Sequence, residues 1–276
     1  MQPIPGRSLS PQPCASLRRC APKTQPLLRM LAFPWCGAGA SVYRKLALCL
    51  PAHIELLAVQ LPGREDRFGE PRMVRMEQIV EHTLGDILSV FDRPLILFGH
   101  SMGALIAWEI AQELRERIGR EPTSLIVSGH GAPHCTPRST RSWHSADEQD
   151  LIANIRQLGG TPDELLDDRP MMKAFMPLLR ADYEVVENYR PKSREPLSCP
   201  LVACAGGEDR EVTPESMRAW LSCTTGHRRL HWFEGDHFYL SSQPALLARS
   251  IQEWIAPRMP LPLDAGFGYR ANKDLF

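Results

Sequence analysis

No run of apolar residues in this 276-residue chain approaches the length that crosses a bilayer, so no membrane-spanning helix is expected. Net charge is absent too. Its 32 basic residues balance 32 acidic ones, which leaves no overall positive field to recruit nucleic acid or an anionic membrane surface. Neither CxxC nor HExxH occurs, so the short spacings that commonly hold a metal ion are missing and none is expected. No segment repeats at a fixed period. A secretory leader needs an apolar stretch before a small-residue cleavage site, and the opening MQPIPGRSLSPQPCASLRRCAPKTQPLL has no such stretch. That segment is rich in Pro, Ser and Arg and lacks acidic residues, so residues 1–27 read as a flexible tail, as do residues 257–276.

What is present suits a large buried core: 43% of the residues are hydrophobic, enough for one domain, with or without an insertion. The eight cysteines, at 14, 20, 36, 49, 135, 199, 204 and 223, are scattered through apolar segments. That distribution fits reduced, mostly buried thiols better than a disulfide framework.

Short apolar runs alternate with helical patterns between the tails. Strands are expected at Leu28–Trp35, Ile54–Gln60, Leu95–Phe98 and Ser124–Ser128, with helices at Val42–Leu50 and Gly103–Arg117. The clearest helix places Met76, Ile79, Val80, Thr83, Leu84, Ile87, Leu88 and Phe91 on one face. This alternation predicts an α/β fold with a mostly parallel sheet covered on both faces. It breaks between about Ser145 and Tyr189, where helical signals dominate, and resumes with strands at Pro200–Gly206 and Arg229–Phe233 and helices near Pro214–Cys223 and Pro244–Ile255. A helical block set into such an alternation predicts a lid over the sheet.

The chemistry centres on LILFGHSMGALIAWEI, residues 95–110, where an apolar strand stops at Gly99, presents Ser101 and turns at once into a helix. GHSMG fits G-x-S-x-G, the strand–turn–helix corner that exposes a serine hydroxyl at the carboxyl end of a sheet. Glycines at 99 and 103 would let strand and helix approach closely. A serine needs a base to become a nucleophile, and the base needs a carboxylate to orient it. On this corner the partners follow in the order Ser, acid, His. LVACAGGEDREVTPE places Glu208 and Asp209 just past a strand, and HWFEGDHFYL places His237 just past the last one. Glu208 and Asp209 are neighbours on one loop, so only one can face the histidine; Asp209 is the expected partner. Asp236 is too close to His237 in the chain and suits a turn. His130 and His134 precede every acid of the later loops, His227 and His231 lie before or inside the last strand, and His100 should pack beneath the corner. Two backbone donors are needed for a developing oxyanion. Met102 N–H follows the serine, and the Gly-rich loop FPWCGAGA supplies the other candidate, with positive φ at Gly37 or Gly39 if the loop turns tightly.

These motifs together resemble the type II (external, editing) thioesterases of nonribosomal peptide and polyketide synthesis, members of the α/β-hydrolase superfamily. The matching stretches are FPWCGAGAS, AVQLPGRE, LFGHSMGALIAWE, VSGHGAP, LGGTP, LRADYEVVENY and GDHFYL, in family order from about Leu28 to Ile255. The resemblance implies an α/β-hydrolase fold with a helical lid at about 145–189, Ser101 as nucleophile, Asp209 as orienter and His237 as base. It implies Met102 and Cys36 as oxyanion donors, Cys36 standing where the family commonly has alanine. Its substrates would be acyl or aminoacyl groups on the phosphopantetheine arm of carrier domains, its setting the cytoplasm, its state a monomer, and its cofactor none. Met171, Met172, Phe175 and Met176 are candidates for an acyl channel, although an apolar helical stripe more often packs a core. A medium-chain acyl thioesterase or acyltransferase of the same fold is the alternative within enzymes. A noncatalytic carrier-binding module is the alternative outside them.

Overall fold

A computed structural model describes residues 15–135 and 142–256. Its strands are β1 (Leu17–Arg19), β2 (Leu28–Phe33), β3 (Ile54–Val59), β4 (Leu95–His100), β5 (Ser124–Ser128), β6 (Leu201–Gly206) and β7 (Arg228–Phe233). They form one sheet in the order β1-β3-β2-β4-β5-β6-β7, antiparallel only at the β1–β3 pair. Strands β2 to β6 are buried along their whole length, because helices cover both faces. One face carries α2 (Met76–Ser89) and α3 (Met102–Ile118), and the other carries α1 (Arg44–Cys49) and α9 (Pro244–Ile255).

The apolar stripe of α2 buries Met76, Ile79, Val80, Thr83, Leu84 and Ile87, as its spacing predicts. Leu88 departs from that expectation and is exposed, because the helix ends one residue later and its last turn leaves the core. Helix α3 ends at Gly119, whose φ of 64° forms the left-handed cap that lets the chain turn into β5.

Part of the segment 1–27 expected to be a flexible tail is ordered in the sheet. Leu17–Arg19 pairs with Leu57–Val59, and Ser16 is held at both ends, accepting from Gln60 N–H at 2.7 Å and donating to Asp86 Oδ2 at 2.7 Å. A three-residue edge strand held by backbone bonds needs no hydrophobic alternation, so composition does not reveal it; it covers the free edge of β3. Residues 1–14 and the whole of the expected tail at 257–276 lie outside the described residues.

Between β5 and β6 the chain forms α4 (Glu148–Leu158), α5 (Asp163–Leu166) and α6 (Arg169–Asn188). This helical insertion has its own small core of Leu151, Ile155, Leu166, Met172, Met176 and Leu179. After β6 come α7 (Pro214–Arg218), started by a Thr213–Ser216 capping box, and, past β7, α8 (Tyr239–Ser242). All seven described cysteines are free thiols, and Cys14 lies outside the described residues. No described helix is long and apolar enough to cross a membrane.

Candidate active site

Ser101 sits between β4 and α3 with φ 54° and ψ −122°, one of two described non-glycine residues at positive φ. Its two glycine neighbours make that corner possible. A Cβ on Gly99 would overlap the carbonyl oxygen of Gly103, and a Cβ on Gly103 would overlap that of Phe33 on the adjacent strand β2. Ser101 N–H donates to Ser128 O at 2.8 Å, which ties the corner to β5. Ser101 is thus presented at the carboxyl end of the sheet, where α/β sheets place their sites.

His237 lies in the loop after β7 and Asp209 in the loop after β6. Their side chains meet at 2.8 Å, His237 Nδ1 to Asp209 Oδ2, and both are buried. A carboxylate oxygen accepts here, so Nδ1 is the donor of this bond and Nε2 is the ring nitrogen left free of it. The other oxygen, Asp209 Oδ1, accepts Glu211 N–H at 2.9 Å, which fixes the carboxylate plane. Glu208 is exposed, and its N–H donates to Gly235 O at 2.9 Å, joining the two loops. Asp236 forms the expected local turn, accepting Phe238 N–H at 2.8 Å. Ser101 and His237 line the same cavity, and no described hydrogen bond joins their side chains; such contacts commonly tighten only with substrate in place.

Beneath His237 lies His100, fully buried, the two ring centroids 4.7 Å apart. Burial, and secondarily the neighbouring His237, hold the His100 pKa well below its usual range, so this ring is neutral. His100 Nδ1 and Ser128 Oγ are 2.9 Å apart, and Ser128 Oγ lies 2.8 Å from Tyr239 OH, whose proton reaches Cys204 Sγ at 3.4 Å. Ser128→Ala would strip two buried groups of a partner. It is expected to cost about 1–3 kcal/mol in denaturant unfolding, since a buried polar group left unmade loses its full hydration.

On the other side of Ser101, β2 runs into the loop Pro34–Gly39. Ala38 N–H donates to Trp35 O at 3.0 Å, closing a turn with Gly37 at φ 78°. The positive φ thus falls on Gly37, whereas Gly39 has φ −107°. No backbone carbonyl accepts Cys36 N–H or Met102 N–H among the described residues. Met102 is the first residue of α3, where an intrahelical partner is lacking by geometry. Burial, with Asp182 adding to it, pushes the Cys36 thiol pKa well up, so this cysteine stays protonated near neutral pH.

The cavity measures about 540 Å³ and lies between the sheet edge and the insertion. Met171, Met172 and Phe175 line it, but Met176 does not: it faces the core of the insertion, 5% exposed, as half of an apolar helical face must. His130 and Glu211 also line the wall. Burial lowers the His130 pKa and raises that of Glu211. Neither position carries a sequence signal for the cavity: His130 fails the chain-order test, and Glu211 is one acid among several on its loop. Among the described residues no group of three or more His, Cys, Asp or Glu side chains could hold a metal ion.

The family profile described as thioesterase domain matches residues 29–255. The chain belongs to the thioesterase family. It is a thioester hydrolase on a seven-stranded, mostly parallel α/β-hydrolase sheet. Among its relatives, the gramicidin S biosynthesis protein GrsT of Aneurinibacillus migulanus is 38% identical over 213 residues, covering 77% of this chain and 83% of that protein. The structure of BorB, a type II thioesterase from the borrelidin biosynthetic cluster, superposes with a TM-score of 0.80 at 31% identity, over 87% of this thioesterase and 97% of BorB. RedJ, the thioesterase of the prodiginine pathway in Streptomyces coelicolor, gives 0.77 at 34% identity, over 89% and 98%.

Proposed function

We propose that this thioesterase removes acyl or aminoacyl groups from the phosphopantetheine arm of carrier domains, an editing role in cytoplasmic nonribosomal peptide or polyketide assembly, with Ser101, His237 and Asp209 as its triad. The observation that carries the reading is the buried Asp209–His237 hydrogen bond in the wall of a cavity that also presents a positive-φ serine. The largely apolar lining of that cavity suits an acyl chain, and the likeness to GrsT and BorB supports the carrier-bound setting.

In the proposed reaction Ser101 Oγ attacks the thioester carbonyl carbon while its proton passes to His237 Nε2. The Cys36 and Met102 N–H groups hold the developing oxyanion. Collapse breaks the carbon–sulfur bond, and the departing thiolate takes the proton from His237. A water molecule then gives its proton to His237 and attacks the acyl-serine. The second collapse releases the acid and returns the proton to Ser101. Asp209 keeps Nδ1 protonated throughout, so Nε2 faces the reacting atoms.

Asp209→Asn tests the orienter. The amide presents a donor as well as an acceptor to Nδ1 and favours the wrong tautomer, a change worth about 10⁴-fold in kcat in a comparable triad. A loss of that order, with cooperative unfolding retained, is expected in an acyl-release assay; wild-type turnover would remove Asp209 from the mechanism. The substrate class is tested by intact-mass measurement across a panel of acylated and aminoacylated carrier proteins. Release of free acid from carriers is expected, and hydrolysis of small oxyesters alone would overturn the carrier assignment.

A further inference from the structure

Arg64 of LPGRE and Asp182 of LRADY take no part in the chemistry above, yet they meet in the interior across 118 residues of chain. Arg64 Nη2 donates to Asp182 Oδ1 at 2.8 Å and Nη1 to Oδ2 at 3.0 Å, with the two side chains only 4% and 1% exposed. A buried pair of this kind adds little net stability over well-packed apolar residues, so its place here calls for another reason. Its remaining hydrogen bonds supply one. Asp182 Oδ2 also accepts Gly37 N–H at 2.7 Å, and Arg64 Nη1 also donates to Ala38 O at 2.9 Å. Both bonds land on the turn that carries Cys36.

The geometry of that turn sets where Cys36 N–H goes. Trp35 O is engaged by Ala38 N–H at 3.0 Å, inside the turn. In a trans peptide the N–H points opposite to the carbonyl, so Cys36 N–H projects outward from the turn, on the cavity-lining segment Trp35–Ala38. The Asp182–Gly37 bond fixes the next peptide plane, and the Arg64–Ala38 bond fixes the one that follows Ala38. Gly37 also admits no side chain: a Cβ there would lie 2.8 Å from Leu179 and from Phe175 on the same helix α6. The inserted helix therefore grips this loop by packing and by charge.

We propose that Asp182, supported by Arg64, is a positioning residue that fixes the Cys36 N–H for the oxyanion, making α6 and the donor loop one mechanical unit. This rests on the proposed role of Cys36 N–H. Two paired variants isolate the effect, because both remove the buried charges together. Arg64→Met with Asp182→Asn keeps an oxygen for Gly37 N–H; Arg64→Met with Asp182→Leu keeps the shape and removes the acceptor. The leucine pair is expected to show kcat about 100-fold below the asparagine pair, the scale of one lost oxyanion donor. KM should stay within about two-fold, as for an interaction made only in the transition state. Affinity for a trifluoromethyl ketone analogue, which Ser101 converts to a tetrahedral adduct, should fall in parallel, while binding of an unreactive thioether analogue holds. Equal kcat in the two pairs, or loss of thioether binding together with kcat, overturns the clamp. Should the leucine pair not fold, Arg64→Met with Asp182→Ala decides the question: it also removes both charges and the acceptor for Gly37 N–H, and a kcat equal to that of the asparagine pair would overturn the proposal. Ser101→Ala in the same assay separates the two ideas. An inactive Ser101→Ala beside equal pairs rejects only the clamp, whereas an active Ser101→Ala rejects the site itself.

Discussion

Ser101→Ala is expected to lower acyl release from an acylated carrier protein by roughly 10⁶-fold, the scale seen when a triad nucleophile is removed. The structure makes this a clean test. No described hydrogen bond depends on the Ser101 hydroxyl, and what anchors the corner is its backbone N–H to Ser128 O at 2.8 Å. Alanine carries the same Cβ at the same positive φ, so the strain of the corner is unchanged and the fold should persist. Carrier binding, read by titration, should survive while turnover disappears. Substantial remaining turnover would mean that the hydroxyl is not the attacking group, whatever its setting.

The second large effect concerns stability. Gly103→Ala is expected to destabilise the fold by about 3 kcal/mol or more, at the upper end for overpacking, because the new Cβ would overlap Phe33 O and reach Pro34 O, both of them backbone atoms. Backbone cannot swing aside as a side-chain tip can. Helix α3 must back away from β2, and that movement would separate Met102 from the Cys36 loop. Gly85→Ala is the control: Gly85 sits inside α2 with no atom near its absent Cβ. There alanine should stabilise by about 0.5–1 kcal/mol through helix propensity. Denaturant unfolding of the two variants should move in opposite directions, and similar midpoints would contradict the close-approach account.

Much of the framework is legible in the residues. The strand–helix alternation anticipates six of the seven strands. Strands β2 to β6 are buried on both faces and read as apolar runs, whereas β7, at the far edge and buried only at Phe233, is placed by its position in the alternation. Ser124–Ser128 and Pro244–Ile255 match to the residue. The exception, Leu17–Arg19, is a short edge strand whose order comes from backbone bonds that leave no hydrophobic pattern. The insertion is legible as helical, but its stripe divides in a way periodicity cannot show. Met172 belongs to both the insertion core and the cavity wall, Met171 and Phe175 line the cavity, and Met176 faces the core.

By itself, then, the sequence determines the order of elements, the corner at Ser101 and the loops bearing Asp209 and His237. Local patterns specify these: apolar runs, glycine spacing, and the placement of polar residues just beyond strand ends. Only the tertiary structure decides which neighbour faces the histidine, which glycine takes the positive φ, and that Arg64 and Asp182 close on the Cys36 turn. Those outcomes depend on contacts between residues far apart in the chain. Asp209 is chosen over Glu208 because its carboxylate meets His237 Nδ1 at 2.8 Å, and a distance of that kind exists only once β6 and β7 lie side by side.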